Sequence, residues 1–202
     1  MIISSSARTA LAGLRALLVL TVIIGIGYTG VITGVGQLLF HDQANGSLIR
    51  TDGKVVGSRI IGENFTDAKG APLARYFQPR PSVAGDDGYD GASSGGSNLG
   101  PENKELAKTV RQRKAQVASF NGVDPSRVPP DAVTASSSGL DPDISTAYAD
   151  IQVARVARAR NLKEQTVRDA VAAHTSGPTF GFMGERRVNV VELNRALDNQ
   201  EG

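Results

Sequence analysis

The feature that most constrains this chain is an uninterrupted, uncharged apolar run of 25 residues, ALLVLTVIIGIGYTGVITGVGQLLF, at positions 16–40. As a helix rising about 1.5 Å per residue it spans roughly 37 Å. That exceeds the roughly 30 Å hydrocarbon core of a bilayer, which takes about 20 apolar residues to cross. The sequence therefore predicts a tail at 1–15, a transmembrane helix at 16–40 and one large water-exposed domain at 42–202. A cleaved signal peptide is the competing reading, but its apolar core is shorter, about 7–15 residues, and no A-x-A cleavage site follows the run here.

Charge sets the expected orientation. Arg8 and Arg15 precede the run, and no Lys or Arg follows it until Arg50. By the positive-inside rule the N-terminus is cytoplasmic and the domain extracytoplasmic, on a single-pass protein of the cell membrane. With those two arginines set aside, 20 Lys and Arg face 20 Asp and Glu, so the exported part is neutral overall. This speaks against a nucleic-acid partner, which calls for a basic patch. The chain has no cysteine, so an exported domain must be held by packing and not by disulfides.

The exported chain reads as α+β, with a small sheet and three or four helices. Strand-like segments at 46–49 and 54–62 flank a turn at Asp52 and Gly53, and a further extended piece is expected at 74–77. Residues 79–100, rich in Gly, Ser, Asp and Pro, form a long loop, which in a compact domain is functional or pinned by neighbours. Pro101 is placed to open a helix running to about Phe120. A second polar turn at 134–145 precedes a helix reaching Arg160, capped by Asp141 or Ser145, with Ile144, Ala147, Tyr148, Ile151 and Val156 on its apolar face. Another helix is expected over 162–174, and 188–198 begins as a strand and continues as a helix.

No complete catalytic motif emerges. Gly95 and Gly100 have the spacing of a phosphate loop, but Pro101 and Glu102 stand where Lys and Ser/Thr are needed. The Asp86, Asp87 and Asp90 cluster lacks key ligands of a calcium loop and reads as a solvated turn, or as carboxylates that concentrate a cation. Two histidines, His41 and His174, make no metal-ligand spacing. Arg155, Arg158 and Arg160 read as a solvated or salt-bridged helix face. Gly30 and Gly34, with Gly25, Gly27 and Gly36 nearby, would let a second membrane helix approach closely.

Several segments together resemble the KdpC family, whose members belong to the Kdp potassium-transporting P-type ATPase. They are residues 46–49, 56–58 with 61–62, Tyr76 and Phe77 with 80–82, SGGSNLGP at 94–101, Thr134 with Ala135, and SGLDP at 138–142 with Ile144 and Ser145. Gln152, 155–157, Arg160, 188–190, Leu193 and Asn194 complete the set. Asp143 departs from the pattern, since a neutral or basic residue is expected there. The resemblance implies a non-catalytic accessory subunit of a complex that also holds a channel-like potassium-binding subunit, a P-type ATPase catalytic subunit and a small helical subunit. It also implies a catalytic-chaperone role that raises the ATP affinity of the catalytic subunit. No tightly bound cofactor is expected, and ATP would act through the ATPase subunit. Gln152, Ser94, Gly95, Gly96, Ser97 and Asn98 are then the candidates for nucleotide or partner contact, with Gly30 and Gly34 as the helix interface. The alternative is a membrane-anchored envelope hydrolase using the Ser- and Asp-rich loops.

Overall fold

The computed structural model describes residues 5–51 and 53–200. The chain divides into two units, Met1–Leu48 and Ile49–Gly202. In the first, one helix long and apolar enough to cross a membrane runs over Ser5–Leu39. It comprises α1 (Ser5–Leu20), a π-helical stretch (Thr21–Tyr28) and α2 (Thr29–Leu39). The wide middle turn coincides with Gly25 and Gly27, and Thr29 Oγ1 donates to Ile24 O at 3.1 Å. Among the described residues the helix already runs through the eleven residues before the apolar run, because Arg8 and Arg15 are good helix formers and continue it toward the polar end. Phe40 breaks it, and a short α3 (His41–Ala44) follows, closed by Asn45 Nδ2 donating to His41 O and to Gln37 Oε1.

The second unit opens with β1 (Leu48–Thr51) and β2 (Lys54–Ser58), which pair as a two-stranded sheet. Of the expected turn, Asp52 lies outside the described residues, and Gly53 takes φ 78°. Residues 59–103 contain no helix or ladder strand. The extended piece expected at 74–77 is instead a turn over 74–76. α4 (Lys104–Asn121) begins three residues beyond Pro101, since Asn103 Oδ1 accepts from Glu105 N and Leu106 N and so sets the N-cap. It ends at Gly122, whose φ of 65° is the left-handed C-cap that glycine reaches without strain.

β3 (Asp143–Ser145) leads directly into α5 (Thr146–Arg160). Ser145, and not Asp141, is the cap: its Oγ accepts from Tyr148 N at 3.0 Å and is itself held by Asp131. Of the five residues expected on the apolar face, Ala147 is exposed and Ile144 lies in β3, while Ala149, Val153 and Ala157 are buried beside Tyr148, Ile151 and Val156. α6 (Glu164–Ala173), β4 (Thr175–Ser176), β5 (Arg187–Asn189) and α7 (Val190–Asp198) complete the order. β5 is the centre of an antiparallel β3–β5–β4 sheet, with Ile144 opposite Val188 and Thr175 also opposite Val188. The core lies where α5 packs on α6 and on this sheet, around Val153, Val156, Val167, Val188, Leu193 and Leu197. The fold is thus α+β with one long apolar N-terminal helix.

Candidate functional site

Three of the polar residues singled out on α5, Gln152, Arg155 and Arg160, face inward, toward the chain segment at 74–78. Gln152 is fully buried, and its amide grips one backbone residue from both ends. Gln78 N donates to Gln152 Oε1 at 2.7 Å, and Gln152 Nε2 donates to Gln78 O at 3.1 Å. Asn194 of α7 does the same to the neighbouring residue, accepting from Phe77 N at 2.8 Å and donating to Phe77 O at 2.9 Å. Two side-chain amides therefore replace the hydrogen-bonded pair that an adjacent strand would supply. This is why residues 77 and 78 stay satisfied without a ladder.

Arg155, one helical turn from Gln152, extends the same clamp. Its Nη1 donates to Ala74 O at 2.5 Å and Tyr76 O at 2.9 Å, its Nη2 to Gln152 Oε1 at 2.7 Å, and its Nε to Asn121 Oδ1 at 2.9 Å. The guanidinium also stacks over Phe120 at 4.4 Å. Burial pushes its pKa down to about 10, so it remains a cation near neutral pH, solvated by amide and carbonyl dipoles. Arg160 donates from Nε to Arg75 O at 2.6 Å, pairs with Asp198 at 2.9 Å and lies over the Tyr76 ring at 5.0 Å. Of the expected solvated or salt-bridged arginine face, the salt bridge is found at Arg160, but the solvated reading is corrected: Arg155 and Arg160 are buried, and only Arg158 is exposed. Asn121, Gln78 and Asn194 were not singled out as site residues from sequence. For Asn121 and Asn194 the signal would have been a polar residue inside an otherwise apolar helix face; Gln78 lies outside any helix or strand and carries no such signal.

The two polar loops lie against each other. Gly95 N and Ser94 Oγ both donate to Ser138 O, at 2.8 and 3.0 Å, and Ser82 Oγ donates to Gly139 O at 2.6 Å. Arg80 pairs with Asp141 at 3.0 Å, and Tyr89 Oη donates to Arg80 O at 2.8 Å. Burial raises the Tyr89 hydroxyl well above its ordinary range, so it stays a donor at any physiological pH. The long loop of 79–100 is therefore pinned. Within it Asp90 serves as a turn cap, its carboxylate accepting from Ala92 N and Ser93 Oγ at 2.9 Å each, which holds its pKa below the ordinary value. Among the described residues no group of three His, Cys, Asp or Glu side chains is placed to hold a metal ion.

The nucleotide candidates consequently separate into two environments. Gln152 sits in the core with both polar atoms engaged, while Ser94, Ser97 and Asn98 are exposed and Gly95 and Gly96 half-buried against Ser137 and Ser138. Arg158 instead lines a half-open cavity of about 340 Å³ with Phe120, Arg127, Asp150 and Arg168, where Asp150 bridges Arg127 and Arg168. Gly30 and Gly34 have open space over their Cα atoms, as a close-packing helix face requires.

Residues 10–199 match the family described as KdpC, the K+-transporting ATPase c chain. A potassium-transporting ATPase KdpC subunit of Gemmatimonas aurantiaca is 54% identical over 190 residues, covering 92% of this chain and 92% of the relative. The KdpC subunit of a Mycobacterium bovis strain is 52% identical over 192 residues, covering 95% and 98%. That of Streptomyces avermitilis is 48% identical over 211 residues, covering 96% and 95%. With the anchor, the clamp and both interlocked loops inside the matched span, the chain belongs to the KdpC family of K+-transporting ATPase c chains.

Proposed function

We propose that this chain is the non-catalytic, membrane-anchored accessory subunit of an ATP-driven potassium uptake complex. It would join a channel-like potassium-binding subunit, a P-type ATPase catalytic subunit and a small helical subunit, and raise the ATP affinity of the catalytic one. The observation that carries this reading is the match to the K+-transporting ATPase c chain over residues 10–199. The side-chain network adds a physical reason for an indirect effect on ATP. Gln152, Arg155, Arg160 and Asn194 each hydrogen-bond the backbone of the 74–78 segment, which makes them framework. An effect on ATP then travels as a coupling free energy between subunits, typically about 1–3 kcal/mol. For direct contact with nucleotide or partner, the exposed edge at Ser94, Ser97 and Asn98 is the part available.

Reconstitution tests this. Adding the full-length chain to the other subunits is expected to restore potassium-dependent ATPase activity and to lower the apparent ATP dissociation constant of the catalytic subunit about 5-fold or more. A parallel arm with Gly30→Leu and Gly34→Leu keeps the helix apolar but blocks close approach, so insertion persists and complex yield falls. Hydrolase turnover by the chain alone, or full pump activity without it, would overturn the reading.

We read the orientation from Arg8 and Arg15, which by the positive-inside rule support an N-terminus in the cytoplasm and a domain outside. Because the chain has no native thiol, Ser93→Cys provides a unique label at an exposed loop position. An impermeant maleimide is expected to modify it in intact cells whose outer barriers are removed. Modification only after lysis would reverse the topology and bring the domain to the side where ATP is found.

A further inference from the structure

The turn at 178–184, between β4 and β5, is an apolar projection. Phe180 and Phe182 are the most exposed large apolar side chains among the described residues of the Ile49–Gly202 unit, at 84% and 78%, and Met183 is 53% exposed. The projection has a fixed shape. Thr179 N donates to Met183 O and Met183 N to Thr179 O, both at 2.9 Å, and Phe182 N donates to Thr179 O at 3.3 Å. Its base belongs to the core sheet, where Val188 is fully buried and Arg187 pairs with Asp143 at 2.9 Å.

Phe180 adopts φ 55°, followed by Gly181 at φ 82°. The left-handed region is strained for an aromatic residue, and glycine or asparagine would hold this position more easily. Strain at a solvent-facing phenylalanine brings nothing to the packing of the chain itself. Such outliers persist where the surface they present is used.

We propose that the 178–184 turn is a preformed aromatic plug that seats Phe180, Phe182 and Met183 in an apolar socket on one of the large subunits of the pump; this rests on the accessory-subunit reading. Aromatic residues and methionine are enriched in such interfaces, and a few of them dominate their energetics. A protein socket is favoured over a lipid surface on two grounds. The charges directly beside the tip, Glu185 and Arg186, are of opposite sign, and Arg187 is neutralised by Asp143, which leaves no net attraction to anionic headgroups. A fluid bilayer also has no use for a strained, fixed turn, whereas a socket of defined shape rewards one that is already formed.

The plug is tested by replacing Phe182 with photoreactive p-benzoylphenylalanine in the full-length chain, co-expressed with the other subunits. Irradiation of assembled membranes is expected to give an adduct with a large subunit several-fold above that from the same group at the exposed Ser126. Adducts with lipid alone, or none from an assembled complex, would overturn the plug and leave the accessory reading intact; wild-type chain that joins no complex would overturn both. Phe180→Gly supplies a second readout, because relief of strain and loss of the aromatic act in opposite directions. Its melting temperature is expected to hold or rise while complex yield per folded chain falls at least tenfold. An undiminished yield would overturn the proposal.

Discussion

Arg155→Ala is expected to destabilise the Ile49–Gly202 unit by about 3–5 kcal/mol, the range for breaking a buried charged network by removing one partner. The substitution leaves Ala74 O and Asn121 Oδ1 without a donor, leaves Tyr76 O with only the 3.4 Å bond from Gln78 Nε2, and empties the space under Phe120. Each orphaned acceptor costs about 1–3 kcal/mol, offset in part because a cation no longer has to be buried. Against a typical domain stability of about 5–15 kcal/mol, the variant sits near the threshold of folding. Urea unfolding of the full-length chain in micelles, followed by circular dichroism, reads the shift. Arg155→Lys should recover only part of it, since an ammonium lacks the planar fork that reaches four acceptor groups at once. An unchanged midpoint for the alanine variant would show that Gln152, Arg160 and Asn194 hold the 74–78 segment without it.

The second large effect is expected at Gly139, where the two polar loops meet. Its φ is 69°, and an added Cβ would lie 2.8 Å from both Ala84 Cβ and Gly95 O and 3.1 Å from Ala84 N. Gly139→Ala therefore combines backbone strain of about 1–2 kcal/mol with overpacking of about 1–3 kcal/mol. Relief can come only by moving backbone, which separates 79–100 from 134–145 and breaks the Ser82 and Ser94 contacts. We expect a loss of about 2–4 kcal/mol, with protease cleavage appearing within 79–100. Gly91→Ala is the control: it has open space and no positive φ, so its stability should stay within about 0.5 kcal/mol of the parent. Equal cleavage rates in the two variants would refute the pinning. Because the exposed edge at Ser97 and Asn98 is carried by the same loop, Gly139→Ala also separates a shaped contact surface from a merely polar one.

Some of this protein is decided by residues close to one another in the chain. Twenty-five apolar residues in a row make a helix long enough for a bilayer whatever surrounds it, because length and transfer free energy add up along the segment. The left-handed glycine at 122 ends α4, the Ser145 hydroxyl begins α5, and Asn189 begins α7 by accepting from Glu192 N at 3.0 Å; each acts within a few residues. The sequence also carried enough matched motif to imply the family. What it left undecided is the work of its polar residues. Gln152 reaches a backbone 74 residues away, and Asn194 one 117 residues away. An arginine on a helix looks the same by periodicity whether it faces water or a row of carbonyls, so Arg155 and Arg160 read as a solvated face until the 74–78 segment is laid across them. The turn at 178–184 is the converse case. Phenylalanine and methionine predict burial by hydrophobicity alone, and only the packing of β4 and β5 shows that this apolar tip is left outside the core. Local chemistry thus set where elements start and stop and which helix is long and apolar enough for a bilayer, and tertiary structure decided which polar groups are framework and which surfaces remain free.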